Sequence, residues 1–125
     1  MNYLLDTHIL LWWLADDERL KPAVKIILSD KRNQILVSHA SAWEMIIKKR
    51  SGKLDAPDDL SACLLYYGFD WLPISLTHIE AIDKLPLHHA DPFDRMLIVQ
   101  AQMEGLTLIT HDSSIWAYPL LVLKA

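Results

Sequence analysis

Five short apolar runs, four of them followed by a helical segment, restrict this chain to one group of architectures. The runs are Tyr3-Leu4-Leu5, Gln34 to Ser38, Trp71 to Ile74, Leu106 to Thr110 and Leu120 to Leu123. Each is short and rich in Leu, Ile or Val, as strands buried on both faces are. Between them lie helical segments at residues 7–15, 22–30, 41–50, 57–67, 77–85 and 92–104, with one helical turn at 113–117. Strands alternating with helices imply a mostly parallel sheet covered on both faces, a three-layer α/β/α fold. At 125 residues, 52% of them apolar, the chain has material for one domain spanning 1–125.

Punctuation supports these boundaries. Pro22 and Pro92 suit first helical turns, and Gly52, Gly68 and Gly105 suit helix ends. Thr77 and Glu80 have the spacing of a capping box, and Pro73 marks an edge strand or a strand end. Trp12 and Trp13 are adjacent and cannot both face one small core, so one is expected to pack on a partner chain.

The net charge of -4 argues against broad adhesion to nucleic acid or anionic membrane, although a local basic patch with a bound cation can still receive a phosphate. Cys63 is the single cysteine, so no internal disulfide forms and the cytoplasm is the expected compartment. No basic segment precedes the first apolar run, which Asp6 interrupts, so neither a signal peptide nor a membrane span is expected there.

Four acids stand where chemistry collects in such folds. Asp6 and Asp112 follow strands, and ligands of open α/β sheets sit outside the carboxyl ends of strands. Glu44 is placed in the first turn of the helix after the second strand, and Asp94 in the first turn of the helix before the fourth. That helix starts at the same edge if it is a crossover. Each acid also has a local reading: Asp6 or Thr7 as a helix cap, Ser41 with Glu44 as a capping box, Asp91 with Asp94 as cap and first-turn acid, Asp112 as an Asx turn. Four at one sheet edge point instead to a shared divalent cation, because crowded carboxylates repel and oxygen ligands suit Mg2+ or Mn2+. Such an ion lowers the pKa of bound water and clamps a phosphodiester.

Other chemistries lack their signatures. There is no Gly-rich phosphate loop, no G-x-S-x-G elbow, no Asp-x-Asp phosphatase pair and no H-E-x-x-H zinc motif, although His8, His88, His89 and His111 lie near the acids in sequence. Basic residues cluster at Lys48, Lys49, Arg50 and Lys53, with Arg95 beside Asp94, and the last is the foremost candidate for a phosphate contact.

Taken in order, Tyr3-Leu4-Leu5-Asp6-Thr7-His8, Ser38 to Glu44, His89-Ala90-Asp91-Pro92-Phe93-Asp94-Arg95-Met96-Leu97-Ile98 and Leu108-Ile109-Thr110-His111-Asp112 resemble the four motifs of the PIN-domain ribonucleases. Within them the chain resembles the VapC-type toxins of bacterial and archaeal toxin–antitoxin pairs. The resemblance covers nearly the whole chain. It implies a Mg2+- or Mn2+-dependent endoribonuclease acting on RNA, held inactive by a small antitoxin and usually a homodimer. Carried over by motif, Asp6, Glu44, Asp94 and Asp112 are metal-binding catalytic acids. Thr7, Lys49, Arg50, Arg95 and Thr110 are RNA-contact candidates, and Asp91 is a supporting acid or a cap. The fourth motif departs from a common form, since Ser113-Ser114-Ile115 follows Asp112 where a second acid often appears. Two alternatives stand beside this reading: a DNA-directed or structure-specific nuclease using the same acids, and a catalytically silent interaction module whose acids only cap helices.

Overall fold

The computed structural model describes residues 1–125. In chain order the elements are β1 (Asn2–Leu5), α1 (Thr7–Leu14), α2 (Pro22–Ser29), β2 (Gln34–Ser38), α3 (His39–Arg50) and α4 (Leu60–Tyr67). They continue with β3 (Asp70–Leu72), α5 (Leu76–Ile82), α6 (Pro92–Glu104), β4 (Thr107–Thr110), a 3-10 turn (Ile115–Ala117) and β5 (Val122–Lys124). The strands form one sheet in the order β3-β2-β1-β4-β5, and every neighbouring pair is parallel. From β1 the chain builds outward through β2 to β3, then crosses back to lay β4 on the other side of β1. The carboxyl ends of β1 and β4 therefore flank a topological switch point, where open sheets form their crevice.

The alternation of side chains along the strands divides the interior into two layers. Leu4, Leu36 and Leu108 are in register and meet Leu97, Ile98 and Ala101 of α6 on one face. Leu5, Ile35, Val37 and Ile109 point to the other, against Ile9 and Leu10 of α1, Val24 and Leu28 of α2, and Leu64 of α4. The expected α/β/α layering is what forms. Strand β3 is an edge strand and Pro73 follows it, where a missing N–H costs the sheet nothing. Gly68 and Gly105 end α4 and α6 with φ of 73° and 66°, a left-handed conformation that a side chain would strain. No helix is long and apolar enough to cross a membrane.

Three helix starts differ from expectation. Helix α4 begins at Leu60 rather than at Pro57, because Asp59 caps it by accepting the Ala62 N–H at 3.0 Å. Helix α3 begins at His39, because Ser38 stays extended at the end of β2 and its Oγ accepts the Ala40 N–H at 3.0 Å. That moves Glu44 from the first turn to the second and removes the Ser41–Glu44 capping box. Helix α5 begins at Leu76, capped by Ser75 rather than Thr77: Ser75 Oγ accepts the His78 N–H at 3.2 Å, and the Ser75 N–H donates to His78 Nδ1 at 3.0 Å. A histidine thus takes the place that Glu80 was expected to fill, and the helix stops at Ile82.

The tryptophan expectation also changes. Trp12 packs 5.4 Å from the His111 ring with the Arg19 guanidinium over its face, while Trp13 lies among Tyr67 and Phe69. Trp12 is buried and Trp13 half-buried within the chain, because Tyr67 at the end of α4 and Phe69 just before β3 extend the packing beyond what α1 alone suggests.

Candidate acidic active site

Asp6 occupies the cap position of α1 but makes no capping hydrogen bond with its side chain. The β1–β4 ladder runs on into it, with the Asp6 N–H donating to Ile109 O at 3.0 Å. Its side chain, 5% exposed, accepts from Thr110 Oγ1 through Oδ2 at 2.6 Å. Thr110 Oγ1 in turn accepts the Asp112 N–H at 3.0 Å, so one buried hydroxyl fixes the acids that follow β1 and β4.

Glu44, 3% exposed, is brought to the same cavity by the second turn of α3. Its Oε1 accepts from Thr7 Oγ1 at 2.6 Å and its Oε2 pairs with Lys48, one turn along the helix. Thr7 Oγ1 also lies 3.0 Å from Ser41 Oγ, which ties α1 to α3.

Helix α6 supplies the remaining groups. Asp91 is its cap, accepting the N–H groups of Phe93 and Asp94 at 2.8 and 3.1 Å. The Asp94 carboxylate instead turns to His89, with Oδ2 2.7 Å from Nε2. Asp112 does both jobs: Oδ1 accepts the Ser114 N–H at 2.9 Å in an Asx turn, while Oδ2 lies 3.4 Å from His89 Nε2. Asp6, Glu44, Asp91, Asp94 and Asp112 thereby line one cavity of about 520 Å3, together with His8, His89, His111 and Lys48.

The charges in this cavity oppose one another. Burial raises the Asp6 carboxyl above its ordinary value despite the Thr110 hydrogen bond, and neighbouring Glu44 adds to the rise. Asp94 is pushed up to about 7, by burial first and then by the charge of Asp6. Burial works against a charged His89, but Asp94, Asp112 and Asp91 outweigh it and hold the imidazole above its usual range. Hydrogen bonding to Glu44 raises the Lys48 ammonium. A cavity lined by acids that resist ionising together is an environment for a cation. Its donors, carboxylate oxygens with one adjacent imidazole, suit a divalent ion.

The PIN domain family model matches residues 3–118, nearly the whole chain. The chain belongs to the PIN domain family. Solved PIN-like structures agree in fold. A VapBC2 complex from Rickettsia felis bound to a DNA fragment from its promoter superposes with a TM-score of 0.73 at 16% identity, covering 100% of this chain and 99% of that one. A toxin–antitoxin complex from Klebsiella pneumoniae gives 0.67 at 22% identity, with 98% and 96% covered. FitAB bound to a DNA fragment gives 0.66 at 19%, with 99% and 94% covered. Among curated proteins no sequence matches significantly.

The PIN domain thus gathers all four acids singled out from the sequence at one cavity, with Asp91 beside them. The RNA-contact candidates are placed differently. Thr7 and Thr110 are buried and spend their hydroxyls on Glu44 and Asp6. Arg95 turns away from the cavity: its guanidinium donates to the carbonyls of Ile82, Leu85, Pro86 and His89, each at 3.2 Å. Lys49 pairs with Asp58, and both Lys49 and Arg50 line a separate groove between α3 and the start of α4. The basic residue that does reach the acids is Lys48. Sequence reasoning placed Lys48 in the basic cluster but singled out Lys49, Arg50 and Arg95 instead, although the i,i+4 spacing of Glu44 and Lys48 puts that pair on one helix face wherever α3 begins. It also left His89 as one histidine among several near the acids.

Proposed function

We propose that the chain is a divalent-metal-dependent endoribonuclease and the toxin of a toxin–antitoxin pair. The observation that carries the reading is the meeting of carboxylates from four separate segments in one cavity at the switch point of the sheet. Structural acids cap their own helices, as Asp91 does, but Asp6, Glu44 and Asp94 make no such bond and face one another's charge. That weighs against the silent interaction module.

The residues fit Mg2+ or Mn2+: Asp6, Glu44, Asp94 and Asp112 would hold the ion, whose charge offsets the burial, and the lesser mutual repulsion, that raise Asp6 and Asp94. When bound, the ion supplies Lewis acidity and a more acidic water. Thr110 and Thr7 hold the Asp6 and Glu44 carboxylates at the cavity wall. Lys48, half-buried at the cavity wall, is placed to release Glu44 and receive a phosphate oxygen. The contact first read for Arg95, Lys49 and Arg50 passes to it.

The partner side of the proposal rests on the neighbours. One is a toxin–antitoxin complex by its own description, and that match covers 98% of this chain. A small antitoxin that covers the cavity is therefore the proposed partner, in the cytoplasm, where the lone Cys63 remains reduced. A homodimer is the proposed assembly. Trp43 and Ile46 on α3, 60% and 61% exposed, offer apolar surface to a second copy.

A cleavage assay on single-stranded RNA and single-stranded DNA of the same base sequence, with Mn2+ and with chelator, tests the reading. RNA cleavage by the wild type in Mn2+ only, and none by Asp94→Asn, is the expected outcome. Equal cleavage by the two proteins removes the site, and preferential cleavage of DNA moves the reading to the DNA-directed nuclease.

A further inference from the structure

We propose that His89 is a direct ligand of the cavity's divalent cation, beside Asp94 and Asp112, and that its nitrogen makes the site prefer a first-row transition ion to Mg2+. The inference rests on the metal-dependent reading above and adds a ligand that the motif acids do not include.

Spacing is the first support. One ligand atom from each of His89, Asp94 and Asp112 can be chosen so that all lie within 4.8 Å of one another. Metal–ligand bonds of about 2.1 Å put neighbouring octahedral ligand atoms about 3.0 Å apart and opposite ones about 4.2 Å. His89 Nε2 lies 2.7 Å from Asp94 Oδ2 and 3.4 Å from Asp112 Oδ2, so each pair needs only a few tenths of an ångström to share an ion.

The second support is how His89 is held. Its N–H donates to Tyr118 Oη at 2.9 Å, and its carbonyl accepts from Arg95 Nη1 at 3.2 Å. Tyr118 is itself buried and anchored on Pro86 O at 2.8 Å. A loop imidazole clamped on both sides of its own backbone meets the cavity in a fixed direction, as a ligand must. The rival histidines lack this placement: His8 is exposed on α1, and His111 Nδ1 is engaged with Ala125 O at 2.6 Å.

The third support is chemical. Mg2+ binds through oxygen and releases its waters reluctantly, whereas imidazole strengthens binding of later divalent ions. Carboxylates alone would make a site indifferent to that distinction, and His89 breaks the indifference.

Pulsed electron paramagnetic resonance on the Mn2+-saturated full chain, paired with calorimetric titrations of Mn2+ and Mg2+, reads this directly. Nitrogen modulation is expected in the wild type and in His8→Ala and is expected to vanish in His89→Ala. The same variant should lose Mn2+ affinity about tenfold or more while Mg2+ affinity changes by less than about threefold. Persistent modulation in His89→Ala, or equal loss of both ions, overturns the assignment. Mn2+ bound to the wild type without nitrogen coupling sinks His89 alone, whereas no Mn2+ binding at all sinks the metal-dependent reading with it. Thermal melts in chelator confirm that His89→Ala is folded.

Discussion

Replacing Asp94 by asparagine should make the metal-free protein more stable at neutral and alkaline pH while removing its function. In the folded chain burial and the charge of Asp6 push the Asp94 proton off only at about 7, against 3.8 for the free side chain. The folded state therefore binds this proton more tightly than the unfolded one, and stability falls as pH rises between the two values. At 1.36 kcal/mol per pH unit the wild type forfeits less than about 1 kcal/mol at pH 4 and about 4 kcal/mol at pH 8. Asparagine keeps the shape and a hydrogen bond to His89 but carries no charge. Loss of the charge-assisted bond to the imidazole takes back part of the gain, leaving about 2 kcal/mol at pH 8. Urea denaturation of wild type and Asp94→Asn in chelator at pH 4 and pH 8 measures it. Saturating Mn2+ should reverse the ranking, since an ion at a hundred times its Kd stabilises the wild type by about 2.7 kcal/mol. A variant that is equal to or less stable than the wild type at pH 8 in chelator would refute the claim that this carboxylate is held against its own electrostatics.

Other outcomes follow from the same contacts. Metal-free wild type should lose stability from about pH 4 to about pH 8 in a series of denaturant melts, because Asp6, Asp94 and His89 all hold protons more tightly when folded; rising stability across that window contradicts the assignment. Thr110→Val should cost about 1–3 kcal/mol by urea midpoint, since it strips a 2.6 Å donor from buried Asp6 and an acceptor from the Asp112 N–H. Arg95→Lys should behave almost like Arg95→Ala, with faster hydrogen exchange across residues 82–90, because one ammonium cannot serve four carbonyls in a planar fork. Full protection in the lysine variant would show that the fork is dispensable.

The fold was readable because its signals are local. Leu4, Leu36 and Leu108 sit in short apolar runs, and Pro92 and Gly105 bracket α6 within their own neighbourhood. The acids were readable for a related reason: each ends a strand or opens a crossover, so topology alone sends it to one edge. What escaped depends on small offsets and on side chains distant in sequence. Ser38, not Ser41, caps α3, which frees Ser41 and Glu44 for contacts with Thr7, while Lys48 meets Glu44 through i,i+4 spacing that was legible but given no weight. Arg95 looked like a phosphate ligand beside Asp94, but in a helix adjacent residues diverge by about 100°, and its fork found a turn's free carbonyls. His89 gave no signal of its own, since its placement is made by Tyr118, far along the chain.

The contact between Thr110 and Asp6 spans 104 residues of sequence. A ribosome making this protein therefore releases Asp6 and Glu44 long before the strand that fixes Asp6 exists. Until β4 has emerged and docked beside β1, the newborn chain has neither Asp112 nor the hydroxyl that aims its first acid. Translation that aborts before β4 leaves fragments that lack Asp112 and Thr110 and cannot assemble the cavity, so the acids made first stay chemically idle until the fourth strand is in place.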